Sequence, residues 1–264
     1  MTELEPHDQA EEVLAAVREY VGEDLPHFSD SLRGAYRVSE PVFARRQYAD
    51  FFWHCATTVP GWLAAVIFAN AQKESEGSAK LLELWRGVDY NADVERWVLA
   101  HAKDESRHSR VFLKLAMHSF PQLVGSAEVE RLNRELPDVR RREHMRTDER
   151  LCEDILIDYL VQINIGEIRT RLHMHLFAPA IFGCTPDHAK EKVHRILRAL
   201  ERDEVRHIGY TARIMERWAE SGDARRIGDL YRQRLHEFHT ITLQETESAV
   251  HAFGQGRFPD LLEV

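Results

Sequence analysis

The chain has 264 residues, of which 44 % are apolar and 30 % charged, with only 13 glycines and 9 prolines; this describes one mostly helical domain over residues 1–264, able to bury a sizeable core. Its net charge of −9, with arginine and lysine dispersed along the chain rather than clustered, argues against nucleic acid as a partner. No signal peptide opens the sequence and the longest apolar stretch, residues 59–71, is too short and too interrupted for a bilayer, so the expectation is a cytoplasmic protein without a membrane partner.

Helix punctuation gives about seven helices, and no strand-like alternation of useful length. The first covers residues 9–21. A second follows Ser39-Glu40-Pro41, with proline at an early helical position, and reaches about Thr57. Pro60 opens a helix that continues past Gly77 to about Trp85. Asn91 and Asp93 are caps for the next, which ends before Pro121, and a short helix follows Ser126. Thr147 caps a long helix expected to stop near Pro179. Thr185-Pro186-Asp187 starts another, which Gly222 separates from a terminal helix over residues 224–253. The cysteines Cys55, Cys152 and Cys184 show no Cys-x-x-Cys spacing; they indicate neither a disulfide framework nor a zinc or iron–sulfur motif and read as core residues.

Two near-identical pentapeptides, Asp104-Glu105-Ser106-Arg107-His108 and Asp203-Glu204-Val205-Arg206-His207, stand 99 residues apart. At about 100° per residue, Glu105 and His108 project roughly 60° apart from one helix face, as do Glu204 and His207, so each pair can hold one metal ion. Each is preceded by a helix bearing a glutamate on an otherwise apolar stripe. Glu74 lies 31 residues before Glu105, on a stripe with Leu63, Ile67 and Asn70; Glu167 lies 37 residues before Glu204, on a stripe with Leu156, Leu160, Ile163 and Met174. Glu76 competes with Glu74, because it falls on the stripe of Trp62, Val66 and Ala69. A third Glu-x-x-His, Glu191–His194, lacks the preceding aspartate and reads as a solvated face. Asp104 and Asp203 are candidates to orient the liganding imidazoles, or else surface partners of Arg107 and Arg206. His101, one turn before Glu105, is a further ligand, a proton relay or a buried histidine.

This pattern resembles the ferritin-like di-iron carboxylate family, whose order Glu, Glu-x-x-His, Glu, Glu-x-x-His is matched by Glu74, Glu105, His108, Glu167, Glu204 and His207. The resemblance covers residues 60–218. It implies an all-α, ferritin-like four-helix bundle with additional N- and C-terminal helices, which would cover a pocket, thicken the core or form a homodimer interface. It also implies two iron ions, or a manganese and an iron, that react with O2, and in a pseudo-twofold bundle it would carry Asp104 to the His207 side and Asp203 to the His108 side.

The expected activity is that of an oxygenase or oxidase acting on a small molecule by hydroxylation, N-oxygenation or desaturation, with an electron donor such as a ferredoxin and its reductase. The alternative is an iron-handling or rubrerythrin-like peroxide-scavenging protein without such a substrate. Three subgroups are disfavoured, because Phe112 stands where a radical tyrosine would, Gly77 and Gln162 replace a crosslinked valine and tyrosine, and Leu200 occupies the position of an additional histidine ligand. Tyr159, Phe112 and Tyr210 are candidate pocket residues. Gly77 and Gly166 are small residues that can open space beside the metals, and Arg171 is a candidate partner for a substrate carboxylate or for a salt bridge.

Overall fold

The structure is a computed structural model, and it describes residues 6–39, 46–89, 91–135 and 151–254. Among these the protein is all-α, without a strand. The helices are α1 (Pro6–Val21), α2 (Pro26–Tyr36), α3 (Arg46–Thr58), α4 (Trp62–Arg86), α5 (Ala92–Ser119), α6 (Ser126–Glu135), α7 (Glu153–Cys184), α8 (Asp187–Trp218) and α9 (Ala224–Gly254). A π-helical turn, Ala219–Asp223, joins the last two; Gly222 sits there at φ +123°, a conformation that a side chain would strain. No single helix among the described residues is long and apolar enough to cross a membrane.

Local chemistry explains most of the boundaries. Asn91 adopts an extended conformation and its side-chain oxygen accepts a hydrogen bond from the Val94 amide at 3.2 Å, capping α5, with Asp93 and Glu95 in the first turn to complement the helix dipole. Gly61, at φ +81°, turns the chain into α4. The helix expected from Pro41 begins, as described, at Arg46; Pro41 and Thr147 both lie outside the described residues.

Three expectations are corrected. Helix α2 was not anticipated, although Pro26 stands at its first position; its N-terminus is capped from far along the chain, where the Glu216 carboxylate accepts from the His27 amide at 3.0 Å and the Phe28 amide at 2.8 Å. The long helix does not stop near Pro179. It runs through that proline to Cys184, held on either side by buried Phe177, Ala180 and Ile181, whose packing outweighs one lost backbone hydrogen bond. And of the three cysteines only Cys55 is buried; Cys152 and Cys184 are exposed, at or beside the two ends of α7, where a helix leaves its packing neighbours.

The chain divides into two compact units. The first comprises the described residues of Met1–Trp53, Glu153–Leu176 and Glu201–Phe258, the second those of His54–Cys152 and Phe177–Leu200. The first unit has its core among Val13, Val17, Phe28, Leu32, Ile157, Val161, Ile165, Ile208, Met215 and Tyr231, where apolar stripes of its helices meet. Within it, Asn164 donates to the Ile208 carbonyl at 3.0 Å and to Thr211 Oγ1 at 2.8 Å, and accepts from the Tyr231 hydroxyl at 2.7 Å, so a buried amide is saturated by its neighbours.

The second unit is built on α4 against α5. Ser78 Oγ donates to the Ala102 carbonyl at 2.8 Å and Glu74 meets His108, so residue numbers rise on one helix as they fall on the other and the pair is antiparallel. Around this contact the two helices present Ala71, Ser75 and Ser78 to Ala102, Ser106 and Ser109, all buried. Small side chains let the backbones approach closely there. Further along, Phe112 stacks at 6.1 Å from Phe177.

Candidate metal centre

In the second unit, α4 carries Glu74 and α5 carries Glu105 and His108 at the i, i+3 spacing that puts both on one face. His108 Nδ1 lies 3.4 Å from Glu74 Oε2 and 3.4 Å from Glu105 Oε1. His101, one turn earlier on α5, brings Nε2 to 3.3 Å from Glu105 Oε1. The side chains are almost sealed from water: His108 is 0 % exposed, His101 1 %, Glu105 9 % and Glu74 11 %. Glu76 is on the surface and accepts a hydrogen bond from Gln72 at 3.1 Å, so Glu74 is the glutamate of α4 that meets the histidine.

Charge is unevenly shared. Burial pushes the Glu74 carboxyl well above the usual carboxylate range, and the neighbouring Glu105 charge adds to the shift. For Glu105 burial acts in the same direction, but the His101 and His108 imidazoles beside it outweigh this and hold the carboxyl well below that range. With protein groups alone, then, burial disfavours ionising both carboxylates at once. A cation would let both ionise.

The distances fit that role. Ligand atoms roughly 2.1 Å from a common ion, at about 90–110° to one another, lie roughly 3.0–3.4 Å apart. The His108–Glu74 and His108–Glu105 separations have this length, and one ligand atom from each of the three residues falls within 4.8 Å of the others. Glu74 Oε2 is buried with no hydrogen bond among the described residues. Two hard carboxylates and one imidazole suit a divalent first-row ion. Gly77 also contributes: a Cβ there would lie 3.5 Å from Glu105 Oε2, in ordinary contact, so the glycine leaves room beside this carboxylate without being forced by sterics.

The first unit holds a matching arrangement. On α7 and α8, His207 Nδ1 lies 3.5 Å from Glu167 Oε2, the same pair of atoms at nearly the same distance as His108 and Glu74. His207 is 1 % exposed and Glu167 15 %. Glu204, one turn before His207, is buried. Thr211 Oγ1 donates to the His207 carbonyl at 2.8 Å and belongs to the Asn164–Tyr231 network, which ties α8 to α7 beside this pair. At Gly166 a Cβ would meet Phe238 at 3.9 Å, an ordinary packing contact, so this glycine opens no space.

Asp104 pairs with Arg107 at 3.1 Å and Asp203 with Arg206 at 2.8 Å, each an i, i+3 ion pair on its own helix. Arg171 is buried between Glu12 and Glu201, at 3.3 Å from each, which makes it a structural cation rather than an open anchor. The third Glu-x-x-His is solvated as expected, with Glu191 exposed and 3.8 Å from Arg195. Tyr159 is a surface residue at 47 % exposure, whereas Phe112 and Tyr210 are core residues. Sequence reasoning missed the Asn164–Thr211–Tyr231 network. Asn164 lies one turn before Glu167 on the same apolar face, and a buried amide there was the available signal.

Comparison with protein-family models, with curated proteins and with solved structures returns no match for this chain.

Proposed function

We propose that the protein is a non-haem di-iron, or manganese–iron, oxygenase or oxidase that uses O2 to oxidise a small molecule, with a ferritin-like four-helix bundle formed by α4, α5, α7 and α8. The observation that carries the reading is the buried trio Glu74, Glu105 and His108, whose contacts have the length of ligand edges. The repeated Glu167–His207 contact supports a second ion of the same kind, with Glu204 supplying the remaining carboxylate. Held by these residues, two such ions would supply two of the four electrons that take dioxygen to the level of water, the other two coming from the oxidised substrate.

The chain's own residues set the conditions. Glu74 and Glu105 offer anionic oxygens that stabilise an oxidised metal, while neutral imidazoles at His108 and His207 limit the net charge that has to be buried. The proton held on Glu74 leaves when a cation arrives, so binding is coupled to its release. Sealing of His108 and Glu105 from solvent keeps bulk water from competing for the ions.

Anaerobic titration with Fe(II), followed by desalting and metal analysis, is the test. Two irons per chain are expected, and the Glu105→Ala and His108→Ala variants should lose at least one. Admission of O2 with candidate substrates should then give products one oxygen atom heavier or two hydrogen atoms lighter by mass spectrometry. Iron uptake into a cage-forming oligomer with no substrate oxidised would favour iron handling instead. Wild-type protein that retains no iron refutes both.

A further inference from the structure

Between α5 and the first half of α8, entirely within the second unit, an open groove of about 390 Å³ is floored by Val111, Ile196 and Leu200 and rimmed by Arg107, Lys192 and Arg195. Its volume lies toward the lower end of the roughly 300–1,000 Å³ typical of small-molecule sites. Three cations on one apolar groove are notable in a chain of net charge −9. Two of them have acidic neighbours on their own helices, Asp104 beside Arg107 and Glu191 beside Arg195. Lys192 forms no ion pair with a described residue at this rim. The three cations stand at the edge of an apolar floor, two of them beside a carboxylate of their own helix.

We propose that this groove binds a small amphiphile with a single carboxylate head and an apolar body. The cationic rim matches an anionic head, and the aliphatic floor matches a hydrocarbon chain rather than a sugar or a nucleotide. Arg107 and Lys192 approach the head from opposite helices; Arg, with its planar fork, can bond both oxygens of a carboxylate. The positive field extends along the same two helices: His118, on α5, is pushed below the ordinary histidine range by burial and by Lys192, Lys114 and His188. A ligand held at the rim lies beside the metal-centre trio, since Arg107 Nη2 is 3.5 Å from His108 Nε2. Binding itself requires no metal, so it stands or falls separately from the reading above.

Isothermal titration of metal-free and iron-loaded protein with decanoate, below its micelle concentration, tests the site. Decanoate should bind in both states and decanol at least tenfold more weakly. The exposed substitutions Lys192→Glu and Arg195→Glu should each weaken decanoate by about tenfold, and raising the salt concentration should weaken it further. Ala199→Trp, which fills the groove without altering charge, should abolish binding while circular dichroism confirms an intact helical fold. Equal affinity for decanol, charge reversals without effect, or undiminished binding to Ala199→Trp would each overturn the proposal. So would binding only to anionic lipid vesicles, which would mark the cations as a membrane-facing patch.

Discussion

Glu74→Gln separates a ligand from a merely structural glutamate, because the two roles predict opposite signs. The substitution keeps the shape of a side chain that is 11 % exposed and 3.4 Å from His108 Nδ1, and it removes only the capacity to carry a negative charge. Without metal, burial and the Glu105 charge already keep Glu74 protonated. A group whose folded pKa is raised contributes fully to stability below its unfolded value and loses that contribution as pH rises through the folded one. Glutamine does not lose it, so the metal-free variant should be at least as stable as wild type at neutral pH. With metal the order reverses. An ion present at 100 times its dissociation constant stabilises wild type by about 2.7 kcal/mol, or roughly 5–11 °C in melting temperature for a chain of this size. If losing a charged ligand weakens affinity about 100-fold, only about 0.4 kcal/mol of that survives in the variant. Thermal melts of both proteins, with a chelator and with Co(II) or anaerobic Fe(II), read all four values. A variant that is less stable without metal and gains as much as wild type with it would refute the assignment of Glu74 as a ligand.

Two further outcomes follow from the first unit. Tyr231→Phe removes the hydroxyl that donates to Asn164 Oδ1 at 2.7 Å and leaves a buried carbonyl oxygen short of a donor, so urea denaturation should show a loss of about 1–3 kcal/mol; a loss below a few tenths would mean that the network is not satisfied as described. Asp158 is held by two hydrogen bonds from Arg234, the Nε contact being 2.7 Å, and this partner depresses its pKa below the ordinary 3.8. The pair is about a quarter exposed, so Asp158→Asn should cost about 1 kcal/mol at pH 7. A depressed carboxylate contributes above its unfolded pKa and loses that contribution as pH falls through the folded one, so the gap from wild type should close below pH 3.8. An equal gap at pH 7 and pH 3 would show that the loss is packing and not charge.

What the sequence made legible was whatever one helix decides by itself. The i, i+3 placement of Glu105 and His108 and of Glu204 and His207 needs only the helical period, as does the cap at Asn91. The choice of Glu74 over Glu76 needed one more step, the direction of the apolar stripe. Features set by distant contacts were not legible. Helix α2 carries a local start signal in Pro26 at its first position, which was passed over, but the carboxylate that caps it, Glu216, lies 188 residues away from Phe28 and no local pattern reports that partner. The proline rule failed at Pro179 because buried neighbours outweighed it, and Cys152 and Cys184 were misplaced because a small apolar side chain says little about whether a helix end is covered.

The α4–α5 pair also shows why such a site can persist in a fold that gains nothing from it locally. Two buried carboxylates against imidazoles are a poor way to join helices, since desolvation consumes much of the attraction and one group has to keep its proton. The joining is done elsewhere, by Leu63, Ile67 and Phe68 toward one end of α4, by Leu81, Leu82 and Trp85 toward the other, and by Val98, Phe112 and Leu113 on α5. Between these apolar blocks Ala71, Ser75, Gly77 and Ser78 bring the backbones close enough for Glu74 to meet His108. Replacement of these small residues by leucine-sized side chains would force the helices apart. The small residues are therefore matched to short polar contacts, and a cation between the carboxylates would convert the weakest stretch of the interface into its strongest.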